Sequence, residues 1–402
     1  METPKPRRPV NVRRPEVRDQ VMQDISRYAS PLVERIRANG NRLLLDNLDL
    51  RLADAFGFCD GVRRAIEIAY ATIRLFKDSR IWLIGEIIHN PEVNRQLDSL
   101  GLRHLPWQEN DPAYDALTAD DVVIMPAFGV TRAMRAKLEA RGVQLVDSTC
   151  GNVIKVWQRV RSYAAAGVTS VIHGKARHEE SMATASQSCG PDGTGNFIVV
   201  LDEREAQMVA DAITGRLSAE ALLQQFGDRV SAGFTPAEHL KEIGLANQTT
   251  MLKSETARIQ EILRAAVVER DGNADRFHVF DTICDATQSR QDALFRLLEQ
   301  DLDAMMIIGG YNSSNTTHLA QIAAERVPTF FVKDAACLVD TRCIRCYDFE
   351  ARKETERPLP RGAADLQRLA RVGITAGASC PANVIEQVIR RLAELRQCPL
   401  PQ

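Results

Sequence analysis

Short apolar runs recur along this chain at a spacing that suits an α/β fold. "IWLIG", "VVIMP", "SVIHG", "FIVVL", "FHVFD", "AMMIIGG", "FFV" and "VGIT" each give way to a polar or glycine-bearing turn, and amphipathic helical patterns fill the intervals. Strands that alternate with helices in this manner predict mostly parallel sheets. At 402 residues the chain exceeds one ordinary core, and domains of ~150 residues would give two or three of them. Residues 1–50 read as an N-terminal helical extension. It carries one predicted helix from about Pro15 to Asn39, with Val17, Val21, Ile25, Leu32 and Ile36 near helical spacing and Gly40 as a stop signal. The stretch 210–240 shows helical patches without a strand and reads as an insertion.

Three cysteines stand where an extended run gives way to a helix start. They lie in "LADAFGFCDGVRRAIEIAY", "LVDSTCGNVIKVW" and "FDTICDATQSRQDAL", at Cys59, Cys150 and Cys284, 91 and 134 residues apart. A thiol at a helix N-terminus feels the positive end of the macrodipole, which lowers its pKa from ~8.5 toward ~3.5–7.5 and favours the metal-binding thiolate. Nine cysteines in a chain of this length fit a reducing compartment better than a disulfide framework. Most of the nine are expected to be small buried hydrophobes. The tighter pair Cys343 and Cys346, in "RCIRCYD", has no second pair and no neighbouring histidine, so it reads as a decoy rather than a zinc site.

Other polar clusters also sit just past apolar runs. "IIGGYNSSNTTHLAQIA" places Asn312, Ser313, Ser314 and Asn315 at a helix start, and "ITAGASCPANVIEQVI" places Ser379 before Pro381, read as a first-turn proline. Such turns suit a phosphate group, although one of them alone reads as ordinary N-capping. "GEIIHNPEVN" adds His89, and "IHGKARHEESMATAS" adds His173, His178, Glu179 and Glu180. Open α/β sheets bind ligands at such strand ends. On the residues alone Glu180 is a solvated acid beside Glu179, and His104, His239, His278 and His318 are structural or exposed.

Composition removes other classes. No apolar run approaches the ~18 residues of a membrane span, and no secretory h-region precedes the first strands, so a soluble cytoplasmic protein is expected. A formal charge of -2 argues against a nucleic-acid partner. The first fifty residues are arginine-rich but also carry Glu2, Glu16, Asp19, Asp24 and Glu34, which argues against a plastid transit peptide.

"GFCDGV", "EIIHNPEVN", "PAFGV", "VDSTCGNVIKVW", "HGKARHEESMATAS", "NQTTMLK", "TICDATQSRQDA", "GGYNSSNT" and "GITAGAS", in this order, closely resemble 4-hydroxy-3-methylbut-2-enyl diphosphate reductase, the IspH or LytB family. The resemblance runs from about Leu52 to the C-terminal helix. "PAFGV", the "HGKxxHEE" pattern and the long extension resemble the plant and cyanobacterial branch.

The resemblance implies three α/β lobes around a central iron-sulfur cluster, with boundaries at 51–149, 150–283 and 284–402. Cys59, Cys150 and Cys284 would hold one 4Fe-4S cluster per chain and leave one iron open to the substrate's 4-hydroxyl group. The implied reaction is reductive dehydroxylation of the allylic diphosphate to isopentenyl and dimethylallyl diphosphates, with a ferredoxin or flavodoxin as electron donor. His89, His178, Ser313, Ser314, Asn315 and Ser379 would bind the diphosphate. Thr249 would hold the proton network at the hydroxyl, and Glu180 would donate the proton.

Three positions depart from the family pattern. Phe128 stands where many bacterial members have histidine, Gly151 where proline is usual, and Asp60 where alanine or tryptophan is frequent. Two rival classes compete with the enzyme. A non-catalytic iron-sulfur sensor or scaffold would not need Glu180, Thr249 and the serine-rich turns together. A phosphate-binding α/β module with structural zinc would use Cys343 and Cys346.

Overall fold

The computed structural model describes residues 9–280, 283–358 and 370–400. The described residues cluster into two compact units, one drawn from 13–71, 88–99, 285–358 and 370–400, the other from 9–12, 72–87, 100–280 and 283–284. Strands are β1–β15 and α-helices α1–α14 in chain order.

In the unit that includes residues 13–71, the predicted single helix from Pro15 to Asn39 is two helices, α1 (Pro15–Ser26) and α2 (Pro31–Ala38). The break has a local cause. Proline disfavours helical backbone in the residue before it, and Ser30 is extended and caps α2 by accepting from the Val33 amide at 2.9 Å. Nor is the extension helical throughout, since β1 (Arg42–Leu45) and β2 (Leu48–Leu52) follow as an antiparallel hairpin. Residues 1–8, including Glu2, lie outside the described residues.

The hairpin completes a five-stranded sheet of order β1-β2-β15-β11-β12, where β11 is Ala304–Ile308, β12 Thr329–Val332 and β15 Arg371–Ala376. All pairings beyond β1-β2 are parallel. β11 is buried at every position, as expected of a strand covered on both faces. The same unit contains α4 (Pro91–Asp98), α12 (Asp285–Leu298), α13 (Ser314–Ala324) and α14 (Ala382–Leu395). Leu50, Ile308, Val332, Ile374 and Val388 lie in its core. Pro381 is the N-cap of α14, one position before its first turn. A separate antiparallel pair, β13 (Cys343–Asp348) with β14 (Lys353–Pro358), was not predicted. α3 (Asp60–Leu75) begins directly after Cys59.

The other unit holds two four-stranded sheets, all parallel. The first has order β4-β3-β5-β6, from Arg103–Leu105, Ile81–Ile84, Val122–Met125 and Gln144–Asp147. The second has order β10-β9-β7-β8, from Phe277–Val279, Ile243–Asn247, Thr169–His173 and Phe197–Val200. α5 (Arg132–Ala140), α6 (Gly151–Ala165), α7 (Glu179–Ser188), α8 (Glu203–Ile213) and α11 (Lys253–Asp271) alternate with these strands. The 210–240 stretch supplies the end of α8, then α9 (Ala219–Phe226) and α10 (Pro236–His239). Leu222, Phe226 and Phe234 from it pack into the second sheet's core beside Ile243 and Leu263.

Candidate active site

Each candidate residue follows the C-terminal end of a strand in a parallel sheet. Phe128 follows β5, Cys150 follows β6, His178 and Glu180 follow β7, Thr249 follows β9, and Cys284 follows β10. Cys59, Asn315 and Ser379 follow β2, β11 and β15. This is the end at which open α/β sheets bind ligands, because the chain must turn there and helix N-termini point back toward it.

Among the described residues none of the three helix-start cysteines is in a disulfide, and each has intermediate exposure. The Cys59 sulfur accepts the Val62 amide of α3's first turn at 3.4 Å, and the Cys59 amide donates to the Ala378 carbonyl at 3.1 Å. Cys150 is the extended N-cap of α6 and its amide donates to Ala127 O at 2.9 Å. The Cys284 amide donates to Thr249 O at 3.3 Å, and α12 starts at the next residue. Asp281 and Thr282, from the motif around Cys284, lie outside the described residues. The two departures beside cysteines leave the helix starts intact. A Cβ added at Gly151 meets nothing within 4 Å. Asp60 is the first residue of α3, where a carboxylate is favoured, and its exposed side chain pairs with Arg63 at 2.7 Å.

The carboxyl of Glu180 is not solvated, contrary to the reading from residues alone: the residue is only 3% exposed. Glu180 Oε1 accepts the Thr249 amide at 2.6 Å and Oε2 accepts the Thr249 hydroxyl at 3.1 Å. His178 caps α7, and its Nδ1 accepts the Glu180 amide at 3.1 Å. A neutral His178 therefore carries its proton on Nε2, as a donor. The Phe128 ring meets the His178 ring edge-on at 5.9 Å. Gln248 ties the same turn together, since its Oε1 accepts from the Lys175 amide at 3.1 Å and from the Ser181 hydroxyl at 3.2 Å.

The serine- and asparagine-rich turn after β11 is organised differently. Ser313 is the N-cap of α13, and its Oγ accepts from the Thr316 hydroxyl at 3.0 Å and the Thr316 amide at 3.4 Å, which leaves its own O–H to donate. Asn315 Oδ1 accepts the Ala378 amide at 2.9 Å, while its buried Nδ2 has no partner among the described residues. Ser314 is buried in the first turn of α13. His89 Nδ1 lies 3.3 Å from Asn312 Nδ2, and the His89 carbonyl accepts the Ser379 hydroxyl at 3.1 Å. A Cβ at Gly310 would come within 2.7 Å of that same carbonyl, so only glycine allows the turn this close to His89.

Gln248, Gly310 and Ala378 were not singled out as site residues, although all three fall inside quoted motifs. Cys343 and Cys346 behave as expected of a decoy. Both lie on β13, where an odd separation points side chains to opposite faces. Cys346 is buried with Ile344 in the core, whereas Cys343 is half-exposed, so the pair cannot converge on one ion. Burial pushes the thiols of Cys337, Cys346 and Cys380 up and keeps them protonated.

The sequence model of the LytB protein family matches residues 50–393. The chain is 44% identical over 375 residues to a 4-hydroxy-3-methylbut-2-enyl diphosphate reductase of Synechococcus sp. (strain RCC307), covering 92% of this chain and 89% of that protein. It is 43% identical over 391 residues to the reductase of the same name from Gloeobacter violaceus, covering 95% and 90%. A solved structure of (E)-4-hydroxy-3-methyl-but-2-enyl diphosphate reductase, described as the terminal enzyme of the non-mevalonate pathway, matches with a TM-score of 0.52 at 26% identity, over 86% of this chain and 99% of that one. The Plasmodium falciparum E-1-hydroxy-2-methyl-but-2-enyl-4-diphosphate reductase shares the fold with a TM-score of 0.63 at 21% identity, over 86% and 87%. Among the described residues no helix is long and apolar enough to cross a membrane. With a family match over most of its length and relatives above 40% identity across nine-tenths of it, the chain belongs to the LytB protein family.

Proposed function

We propose that the chain reductively removes the 4-hydroxyl group of (E)-4-hydroxy-3-methylbut-2-enyl diphosphate, giving isopentenyl diphosphate, dimethylallyl diphosphate and water, the last step of the methylerythritol phosphate route. The observation that carries this reading is the buried Glu180 carboxyl with both oxygens engaged by Thr249. Breaking the C–O bond requires a proton on the departing oxygen. A protonated Glu180 reverses its bond with the Thr249 hydroxyl and donates to it, which frees the Thr249 proton for the substrate oxygen. Burial keeps bulk water from competing for that proton.

The diphosphate is assigned to His89, His178, Ser313, Ser314, Asn315 and Ser379. Asn315 Nδ2 and the Ser313 O–H are donors that no described residue uses, and the α13 N-terminus favours anions. Phe128 cannot bond an anion, but its ring holds His178 edge-on.

LytB proteins are iron-sulfur enzymes, and the thiols at the starts of α3, α6 and α12, none of them in a disulfide among the described residues, suit such a group. We assign Cys59, Cys150 and Cys284 as the ligands of one 4Fe-4S cluster with one iron open to the substrate. When bound, the cluster supplies the electrons for C–O cleavage. The two all-parallel sheets and the mixed third one support a division into lobes at 51–149, 150–283 and 284–402, with the antiparallel 42–52 hairpin added to the last sheet. A ferredoxin or flavodoxin fits as donor, and nine free cysteines fit the cytoplasm.

An anaerobic assay of the purified protein with the diphosphate substrate and an artificial reductant tests the function. Turnover with about four irons per chain is expected; zinc in place of iron, with no turnover, overturns it. Serine at Cys59, Cys150 or Cys284 should abolish the iron-sulfur absorbance, while Cys343→Ser with Cys346→Ser should keep it. The reverse pattern would show the ligand set to be wrong. A non-catalytic sensor has no use for the buried Glu180–Thr249 pair.

A further inference from the structure

Helix α6 carries Lys155, Arg159 and Arg161 and no carboxylate, and α5 carries Arg132, Arg135 and Lys137 against one acid, Glu139. Within the two helices cations outnumber acids, and of these cations Lys137 is paired with Asp115 at 3.7 Å. Ile154, Lys155, Gln158, Arg161 and Ser162 are exposed at the spacing of one helix face, a stripe that begins one turn after Cys150. Arg161 of this stripe also lines a cavity of about 640 Å³ together with Arg132, Arg135, Thr149 and Trp157.

The three guanidiniums of the cavity are not equally neutralised. Arg135 bonds Glu139 at 2.9 Å and lies 3.8 Å from Asp147. Arg132 gives Nη2 to the Pro191 carbonyl at 2.9 Å, and Arg161 gives Nε and Nη2 to the Gln187 amide oxygen at 2.9 and 2.6 Å, so among the described residues neither bonds a carboxylate. Partial desolvation, with repulsion from Arg132 and Arg135, pulls the Arg161 guanidinium below its ordinary value. Such an arrangement gains most from an anionic partner.

Trp157 forms part of the cavity wall. It is 7% exposed and shares a small apolar cluster with Val153, Ala183 and Cys150. Gly129 closes over the indole: its φ is +77°, and a Cβ there would sit 2.2 Å from the ring. A single aromatic side chain thus bridges the arginine cavity and the Cys150 turn.

We propose that the α5–α6 face is the docking surface for an acidic one-electron carrier protein, with Arg132 and Arg161 receiving its carboxylates and Trp157–Cys150 as the electron entry; this rests on the reductase reading above. Cations spread over two helices, with exposed Ile154 on the same stripe, fit a protein surface better than a small anion confined to the cavity. Converting the C–OH group to C–H and water consumes two electrons and two protons. A one-electron donor must therefore bind in its reduced form, leave oxidised, and be replaced once in each turnover. Docking by charge suits this, because it speeds encounter without demanding slow release.

The test uses the cluster-loaded protein, a reduced acidic 2Fe-2S ferredoxin, the double variant Arg132→Glu/Arg161→Glu, and Arg161→Lys as a charge-preserving control. Binding is measured by titration at low and high salt, beside iron content and turnover with dithionite. Ferredoxin affinity of the double variant should fall about tenfold or more at low salt, with the gap closing at high salt. Arg161→Lys should bind like the parent, and iron content and dithionite-driven turnover should not change. Equal ferredoxin affinity of the double variant and the parent overturns the docking surface. So does unchanged ferredoxin binding accompanied by lost binding of inorganic diphosphate, which would make the cavity a small-anion site. A parent that binds ferredoxin through these arginines yet turns over with neither reductant leaves the docking surface standing and removes the reductase reading.

Discussion

The turn at His178–Glu180 and the turn at Asn312–Asn315 both follow a buried parallel strand and both open a helix, yet they use their polar groups in opposite ways. At the first, the Glu180 carboxyl oxygens are taken by Thr249 and the His178 Nδ1 by a backbone amide. At the second, Asn315 Nδ2 lacks a partner among the described residues and Ser313 keeps an O–H to give. A closed network suits moving a proton, since its bonds reverse direction without any group being abandoned. An open one suits seizing an anion, since unused buried donors cost about 1–3 kcal/mol each until a ligand arrives. Under the proposed function, proton delivery falls to Glu180 in the first turn and most of the anion affinity to the second.

Glu180→Gln is the strongest challenge to that division. It keeps shape and hydrogen bonding but cannot serve as an acid, so kcat should fall ~10²- to 10⁴-fold with substrate affinity nearly unchanged. Glu179→Gln should leave kcat alone, and matching losses in the two variants would take the acid role from Glu180. Asn315→Ala should show the opposite signature in equilibrium titration. A hydrogen bond to a charged group contributes ~1.5–3 kcal/mol, so diphosphate affinity should drop roughly ten- to a hundredfold at constant iron content. Unaltered affinity would move the anion elsewhere. Gly310→Ala sharpens the comparison from the backbone side. Crowding the His89 carbonyl should cost about 1–3 kcal/mol in thermal or denaturant unfolding and raise KM with little change in kcat. A change in kcat alone would indicate that the turn serves the chemistry rather than the anion. Thr249→Val removes one of the two bonds to Glu180 and keeps the amide. Its effect on binding should be the smallest of these, and because it removes the hydroxyl that hands on the Glu180 proton it should lower kcat about as far as Glu180→Gln.

Much of this division was legible before any coordinates. The apolar runs located most strands, and turn chemistry located the helix starts, because both are written locally. The break between α1 and α2 was also local, in the Ser30–Pro31 pair, but regular spacing of apolar residues hid it. β9 escaped notice because Gly244 and Asn247 give "IGLAN" little strand character, yet it is a central strand of its sheet and buried at all five positions. The contrast between Glu179 and Glu180 had no local signal at all. Glu180 is buried with Thr249, 69 residues further on, and only the pairing of β7 with β9 brings the two together.

Ala378 uses both of its backbone groups to join two turns: its carbonyl takes the Cys59 amide and its N–H goes to Asn315 Oδ1. Only the two soft dihedrals of one residue lie between those bonds. The spacing of the Cys59 turn from the Asn315 turn is therefore gauged by main chain, which hardly stretches, with Asn315 the only side chain whose rotamer enters it. Larger side chains at position 378 leave that gauge in place so long as they have room, whereas proline there would remove the N–H and uncouple the turns without touching either one.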